Sequence, residues 1–163
     1  MIEIQVAVIT VSDRSYRNER PDLSGPALCD FVSSMGWKVI YSTIVNDELS
    51  MIESILRKCV THENVDLMLT TGGTGLSPRD NTPEATMKVV EKTVPGLAEY
   101  MRMDSVSQNQ NSVLSRAVAG ITQGKLIINL PGSPTGAVET LKTIAGVIPH
   151  AIGILKDEKL HDS

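Results

Sequence analysis

Apolar residues along this chain follow two rhythms that take turns. Ile4 to Val11 is a β-branched run that stops at the polar cluster Ser12-Asp13-Arg14, as a strand running into a loop does. A stretch rich in Asn, Arg, Pro and Asp continues to Ser24 and is expected to be an exposed loop. From Gly25 the spacing changes to threes and fours, with Leu28, Phe31, Val32 and Met35 sharing a helix face, and Gly36 stands where a helix end favours positive φ. Lys38 to Val45 reads as a second strand and Asn46-Asp47 as a turn. Met51, Ile52, Ile55, Leu56 and Cys59 then form the apolar face of a second helix.

Val65 to Thr71 is short, apolar and broken abruptly by two glycines, the mark of a strand covered on both faces. Thr82-Pro83 has the form of a helix start, with Thr82 as the cap, Pro83 at the first helical position, and Ala85, Val89 and Val90 following. A further helix is predicted from Pro95-Gly96 to about Asp104, and the last clear strand is Leu126 to Leu130. Thr135 to Leu155 reads as one or two closing helices interrupted near Pro149.

This alternation predicts an α/β fold, a single three-layer domain over residues 1–163 whose mainly parallel sheet is flanked by helices through right-handed crossovers. Ligands of such sheets bind beyond the carboxyl ends of the strands. Ser12-Asp13-Arg14, Asn46-Asp47, Gly72-Gly73-Thr74-Gly75 and Pro131-Gly132-Ser133-Pro134 all directly follow predicted strands, so the topology gathers them along one edge, most simply into one cleft.

Composition narrows the class. Hydrophobic residues make up 41% and charged residues 21%, which fits a globular domain and not a disordered chain. A net charge of -4 argues against a general nucleic-acid surface while leaving room for a local anion site. Cys29 and Cys59 lie in helical segments with no metal-type spacing, so a reduced, cytoplasmic setting is expected. The alternating start Met1-Ile2-Glu3-Ile4-Gln5-Val6 reads as a strand rather than a signal peptide, and no run approaches the roughly 20 apolar residues of a membrane span.

The chemistry at the strand ends has two readings throughout. The Gly72-Gly73-Thr74-Gly75 turn is either a tight exit from a buried strand or a nest of backbone N–H groups for phosphate, and it matches neither a Walker loop nor the dinucleotide fingerprint. Asp47 and Asp80 are either turn and cap residues or two oxygen donors suited to Mg²⁺, which takes one or two carboxylates with waters and phosphate oxygens. Arg79 and Arg116 are either surface ion-pair residues or phosphate clamps. His62, His150 and His161 are scattered without zinc-type spacing, and Met101 and Met103 read as packing residues.

Taken together, Ser12-Asp13-Arg14, Thr71-Gly72-Gly73-Thr74-Gly75, Pro78-Arg79-Asp80-Asn81-Thr82-Pro83-Glu84-Ala85-Thr86, Leu114-Ser115-Arg116-Ala117 and Asn129-Leu130-Pro131-Gly132-Ser133-Pro134 resemble the molybdopterin adenylyltransferase family. That family includes the bacterial MogA proteins, the plant Cnx G domain and the gephyrin G domain. The resemblance implies a homotrimeric α/β enzyme of molybdenum cofactor biosynthesis that transfers adenylate from Mg-ATP to molybdopterin and releases pyrophosphate. It implies that Asp47 and Asp80 hold Mg²⁺ and that Gly72, Gly73, Thr74 and Gly75 cradle phosphate. Ser115, Arg116, Pro131, Gly132 and Ser133 would shape the molybdopterin side, with Asp13 also at the site. The resemblance also implies a transient contact with a molybdenum insertase, without identifying the acceptor of the product. The Pro-Arg-Asp run sets the chain apart from MoaB-like proteins, which commonly lack it, and the loop Ser15 to Leu23 is longer and more charged than in some bacterial members. A binding or scaffold module without turnover is the alternative.

Overall fold

The computed structural model describes residues 2–161, with side chains as far as Asp157; the side chain of His161 lies outside the described residues. The chain runs β1 (Gln5–Val11), α1 (Asp13–Tyr16), α2 (Ser24–Ser34), β2 (Lys38–Val45), α3 (Leu49–Thr61), β3 (Leu67–Thr71), α4 (Thr82–Val89) and β4 (Lys92–Thr93). It continues through α5 (Pro95–Val106), a 3₁₀ turn (Gln110–Leu114), β5 (Ala119–Thr122), β6 (Lys125–Leu130), α6 (Pro134–Ala145) and α7 (Ile148–His161). The strands form one six-stranded sheet in the order β2-β1-β3-β6-β5-β4. The first four in that order pair parallel and the last two join antiparallel.

Period-two alternation explains why the central strands are apolar at every position. Val6 and Val8 of β1, Leu67 and Leu69 of β3, and Leu126 and Ile128 of β6 face a core built with α2, α5, α6 and α7. Ala7 and Ile9, Met68, and Ile127 point to the opposite face, against Ile52, Leu56 and Cys59 of α3 and Ala85 and Val89 of α4. Each fully buried Leu or Ile contributes about 1.5–3 kcal/mol of transfer free energy, so the two layers clamp the sheet from both sides. The three-layer expectation holds.

Several local expectations change. Thr82 is not the cap of α4; Asn81 holds that position, and Thr82 is the first helical residue with its hydroxyl turned to the glycine turn. The segment after Ser12 forms one helical turn, with Ser12 Oγ accepting from Ser15 N–H at 3.2 Å. The closing helices part at Gly146 and Val147, with Pro149 inside the first turn of α7, where a missing N–H is harmless. The β5–β6 hairpin turns on Gln123 and Gly124, both at positive φ (48° and 69°), as a two-residue type I′ connection requires.

Among the described residues no single helix is long and apolar enough to cross a membrane. The cysteines are both free, Cys59 buried and Cys29 partly so.

Candidate functional site

After β1 the chain pairs β2 on one side of that strand and then returns to place β3 on the other, so loops diverge beyond the carboxyl ends of β1 and β3. Crevices in doubly wound sheets open at such a switch point. A cavity of about 640 Å³ lies there, lined by Ser12 and Asp13 after β1, Asp47 after β2, Gly72, Gly73 and Asp80 after β3, and Gly132 and Ser133 after β6. A second cavity, of about 450 Å³, is lined by Thr74, Gly75, Leu76, Met101, Ser115 and Pro131, among others. The single cleft expected from topology is thus two, because the chain crosses from one cavity to the other between Gly73 and Thr74, and again between Pro131 and Gly132.

The glycine turn is fastened by its carbonyls. Thr82 Oγ1 donates to Gly72 O at 2.8 Å and Thr82 N–H to Gly73 O at 3.1 Å. Arg116 N–H donates to Thr74 O at 2.9 Å and its Nε to Gly75 O at 2.7 Å. Among the described residues the N–H groups of Gly73, Thr74 and Gly75 donate to no protein acceptor. Three neighbouring N–H donors whose carbonyls are tethered are the kind of backbone nest that could accept anionic oxygens.

Glycine is required here by space as well as by φ. Gly72 sits at φ +105°, and a Cβ on it would lie 2.3 Å from Val11 O. A Cβ on Gly73 would meet Thr82 Oγ1 at 2.3 Å and Asp47 Oδ1 at 3.4 Å, and one on Gly75 would meet Asp80 Oδ2 at 2.8 Å. The same distances show that both predicted carboxylates lie directly against the turn.

Asp13 and Asp47 brace each other reciprocally: Asp13 N–H donates to Asp47 Oδ2 at 2.7 Å, and Asp47 N–H to Asp13 Oδ1 at 3.0 Å. Arg79 spans both Asp13 oxygens, Nε at 3.0 Å and Nη2 at 2.9 Å, while its Nη1 reaches Glu48 at 2.6 Å. The Arg79 guanidinium therefore holds the Asp13 carboxyl below the usual aspartate range. Burial pushes the Asp47 carboxyl up, with the nearby Asp13 and Asp80 charges acting in the same direction. A buried carboxylate crowded by like charges gains most from a cation. Asp80 Oδ2 accepts from Ser77 N–H at 3.0 Å.

These two carboxylates fit Mg²⁺, whose remaining positions would fall to water and substrate phosphate; among the described residues no group of three or more acidic, His or Cys side chains gathers to cage a metal by itself.

Neither predicted arginine clamp points into a cavity with a free guanidinium. Arg116 stands behind the turn, its Nη2 donating to Asp80 O at 2.8 Å and its Nη1 pairing with Glu84. It ties the glycine turn, the Asp80 loop and α4 together, so it is a scaffold for the site. Asp13, Asp47, Asp80, Gly72, Gly73, Gly132 and Ser133 share the first cavity, whereas Thr74, Gly75, Ser115 and Pro131 line the second. Sequence reasoning missed Asn129, buried in β6, whose Nδ2 donates to Thr70 Oγ1 at 3.0 Å and Thr86 Oγ1 at 2.9 Å and so locks α4 to the sheet below the turn. A polar residue interrupting the apolar run Leu126–Leu130 was its signal.

A doubly wound sheet with unpaired turn amides and two carboxylates beside its switch point defines an α/β protein with a candidate strand-end site. Comparison gives this class a family. The chain belongs to the family described as probable molybdopterin binding domain, whose model matches residues 7–150. It is 41% identical over 157 residues to the molybdopterin adenylyltransferase of Helicobacter pylori, covering 95% of this chain and 89% of that protein.

It is 39% identical over 159 residues to the molybdenum cofactor synthesis protein cinnamon of Drosophila melanogaster, covering 97% of this chain but only 26% of that longer protein. The crystal structure of the molybdopterin biosynthesis enzyme MoaB from Thermus thermophilus superposes with a TM-score of 0.88 at 43% identity, over 93% of this chain and 96% of that one. The expected separation from MoaB-like proteins is therefore not expressed in overall identity, which is about equal towards both.

Proposed function

We propose that this chain is a nucleotidyltransferase of molybdenum cofactor biosynthesis that transfers adenylate from Mg-ATP to molybdopterin. The observation that carries the reading is the set of unpaired N–H groups at Gly73, Thr74 and Gly75 between two cavities, with Asp47 and Asp80 against the same turn. Relatives that this chain spans almost entirely carry the adenylyltransferase name.

On this reading the nucleotide phosphates occupy the acidic first cavity and the pterin the more apolar second one, where Met101, Leu114 and Ala117 offer a flat apolar floor and Ser115 and Asn111 offer polar groups. Asp47 and Asp80 would hold Mg²⁺, which when bound would supply charge neutralisation on the nucleotide phosphates. The terminal phosphate oxygen of molybdopterin forms a new bond to the α-phosphorus; the bond from that phosphorus to the bridging oxygen of the β-phosphate breaks, and its electron pair leaves on pyrophosphate. Turn amides and Thr82, which fixes the turn from below, position the reacting phosphates without moving.

The homotrimer is carried over from the family resemblance; exposed Tyr100 and Met103 on α5 and Val113 of the 3₁₀ turn are apolar side chains such an interface could use. The site of action is the cytoplasm, and the product goes to a molybdenum insertase. Relatives much longer than this chain support that hand-over, since they carry the domain beside further sequence.

The test is pyrophosphate release from purified protein with molybdopterin and Mg-ATP. Asp47→Ala and Asp80→Ala should each lower the rate about 10³-fold while molybdopterin affinity stays within about twofold. Wild-type rates in both variants would sink the metal assignment. The family description, which names binding and no reaction, supports a second reading, a molybdopterin-binding module without turnover. Tight molybdopterin binding with no pyrophosphate from wild type would establish it.

A further inference from the structure

The first cavity has a cationic wall that neither the glycine turn nor the carboxylates explain. Besides Asp13, Asp22, Asp47 and Asp80 it is lined by Arg14, Arg20 and the starts of α2 and α6. Of the arginines in the loop from Ser15 to Leu23 and its approach, Arg17 is taken up by Glu19 at 2.8 Å. Arg14 and Arg20 form no ion pair among the described residues; Arg20 reaches only Ser12 Oγ, at 3.5 Å.

The Asp22 carboxylate accepts from Thr10 Oγ1 at 2.8 Å, Gly25 N–H at 3.0 Å and Ser24 Oγ at 3.4 Å and so holds the start of α2. The start of α6 has no acidic residue in its first turn and is capped by the neutral Ser133 hydroxyl, which accepts from Gly136 N–H at 3.0 Å. Meanwhile Arg79 and Arg116 are spent on carboxylates and carbonyls. The cavity thus combines carboxylates suited to a cation with two guanidinium groups, of Arg14 and Arg20, that form no ion pair among the described residues.

We propose that Arg20, assisted by Arg14, binds the β- and γ-phosphates of the nucleotide and retains the pyrophosphate after transfer. The proposal rests on the adenylyl-transfer reading for its ligand, but not for its geometry. Guanidinium forks bind phosphate oxygens in pairs, and a clamp separated from the Mg²⁺ side accepts the charge that develops on the leaving group. The charged character of this loop then has a purpose: it is the leaving-group wall of the cavity.

Titration calorimetry of the full chain with inorganic pyrophosphate, with and without Mg²⁺ and against orthophosphate, tests it. Arg20→Ala should weaken pyrophosphate binding about 10- to 100-fold, Arg14→Ala less, and Arg20→Lys should recover part of the loss. Arg17→Ala, on the same loop but paired with Glu19, should leave it unchanged. Pyrophosphate affinity equal to wild type in the Arg14→Ala/Arg20→Ala double variant overturns the proposal. So does an equal loss in Arg17→Ala, which would reduce the effect to diffuse loop charge, and so does a failure of wild type to bind pyrophosphate. If wild type binds pyrophosphate through Arg20 yet transfers no adenylate, the transfer reading falls and the clamp stands.

Discussion

The two cavities share one wall and little else. The first is built from loops that leave parallel strands β1, β2, β3 and β6, and its polar groups are fixed by side chains reaching across the chain, such as Arg79 to Asp13. The second is built largely from α5, the 3₁₀ turn and the residues leading into β5, and its lining is more apolar, with Ala98, Met101 and Leu114 beside Ser115. The difference teaches that polar atoms anchored from across the chain suit the phosphate role proposed for the first cavity, whereas apolar surface with a few hydrogen-bonding groups suits the pterin role proposed for the second.

The comparison breaks most severely at the shared wall. Gly72→Ala forces a Cβ to 2.3 Å from Val11 O at a φ of +105°, so it should destabilise the fold by about 2–4 kcal/mol and impair both cavities together. Urea denaturation measures the first effect and ligand titration the second; full stability in this variant would show that the wall yields. A smaller effect should separate the cavities. Ser115→Ala should weaken molybdopterin binding about 3- to 10-fold with the KM for ATP changed less than about twofold, and a change confined to ATP would reverse the assignment of ligands.

Smallest is the effect of Arg79→Ala, whose ion pairs are half exposed; its melting temperature should fall by about 2 °C or less at neutral pH. Asp13 has a folded pKa below its unfolded value, so its contribution is present above about pH 3.9 and is lost as pH falls through the lower folded value. The difference between wild type and variant should therefore vanish in strongly acidic buffer, and a difference that grows there would contradict the pairing.

Much of the parallel core was legible because burial on both faces leaves continuous apolar runs, as at Val65 to Thr71 and Leu126 to Leu130. The antiparallel margin was not. Lys92–Thr93 is a two-residue exposed strand without alternation, and Ala119–Thr122 contains Gly120, which a strand pattern disfavours but which lies so close to Val90 that a Cβ would meet its Cγ1 at 2.7 Å. The Gln123-Gly124 pair was the available signal for that hairpin.

At the site, strand-end placement put Asp47, Asp80 and the glycine turn in one neighbourhood. The engagement of the arginines stayed hidden, because Arg79 and Asp13 lie 66 residues apart and Arg116 and Gly75 lie 41 apart. Local pattern carries no information about which partner a long side chain meets.

The close approach of Gly132 to Gly72, where a Cβ would stand 3.3 Å from the opposing Cα, couples two loops of the first cavity. With no side chain between them, the two backbones touch directly, so the glycine turn after β3 leans on the loop after β6 and a side chain added at Gly132 would have to push the two loops apart.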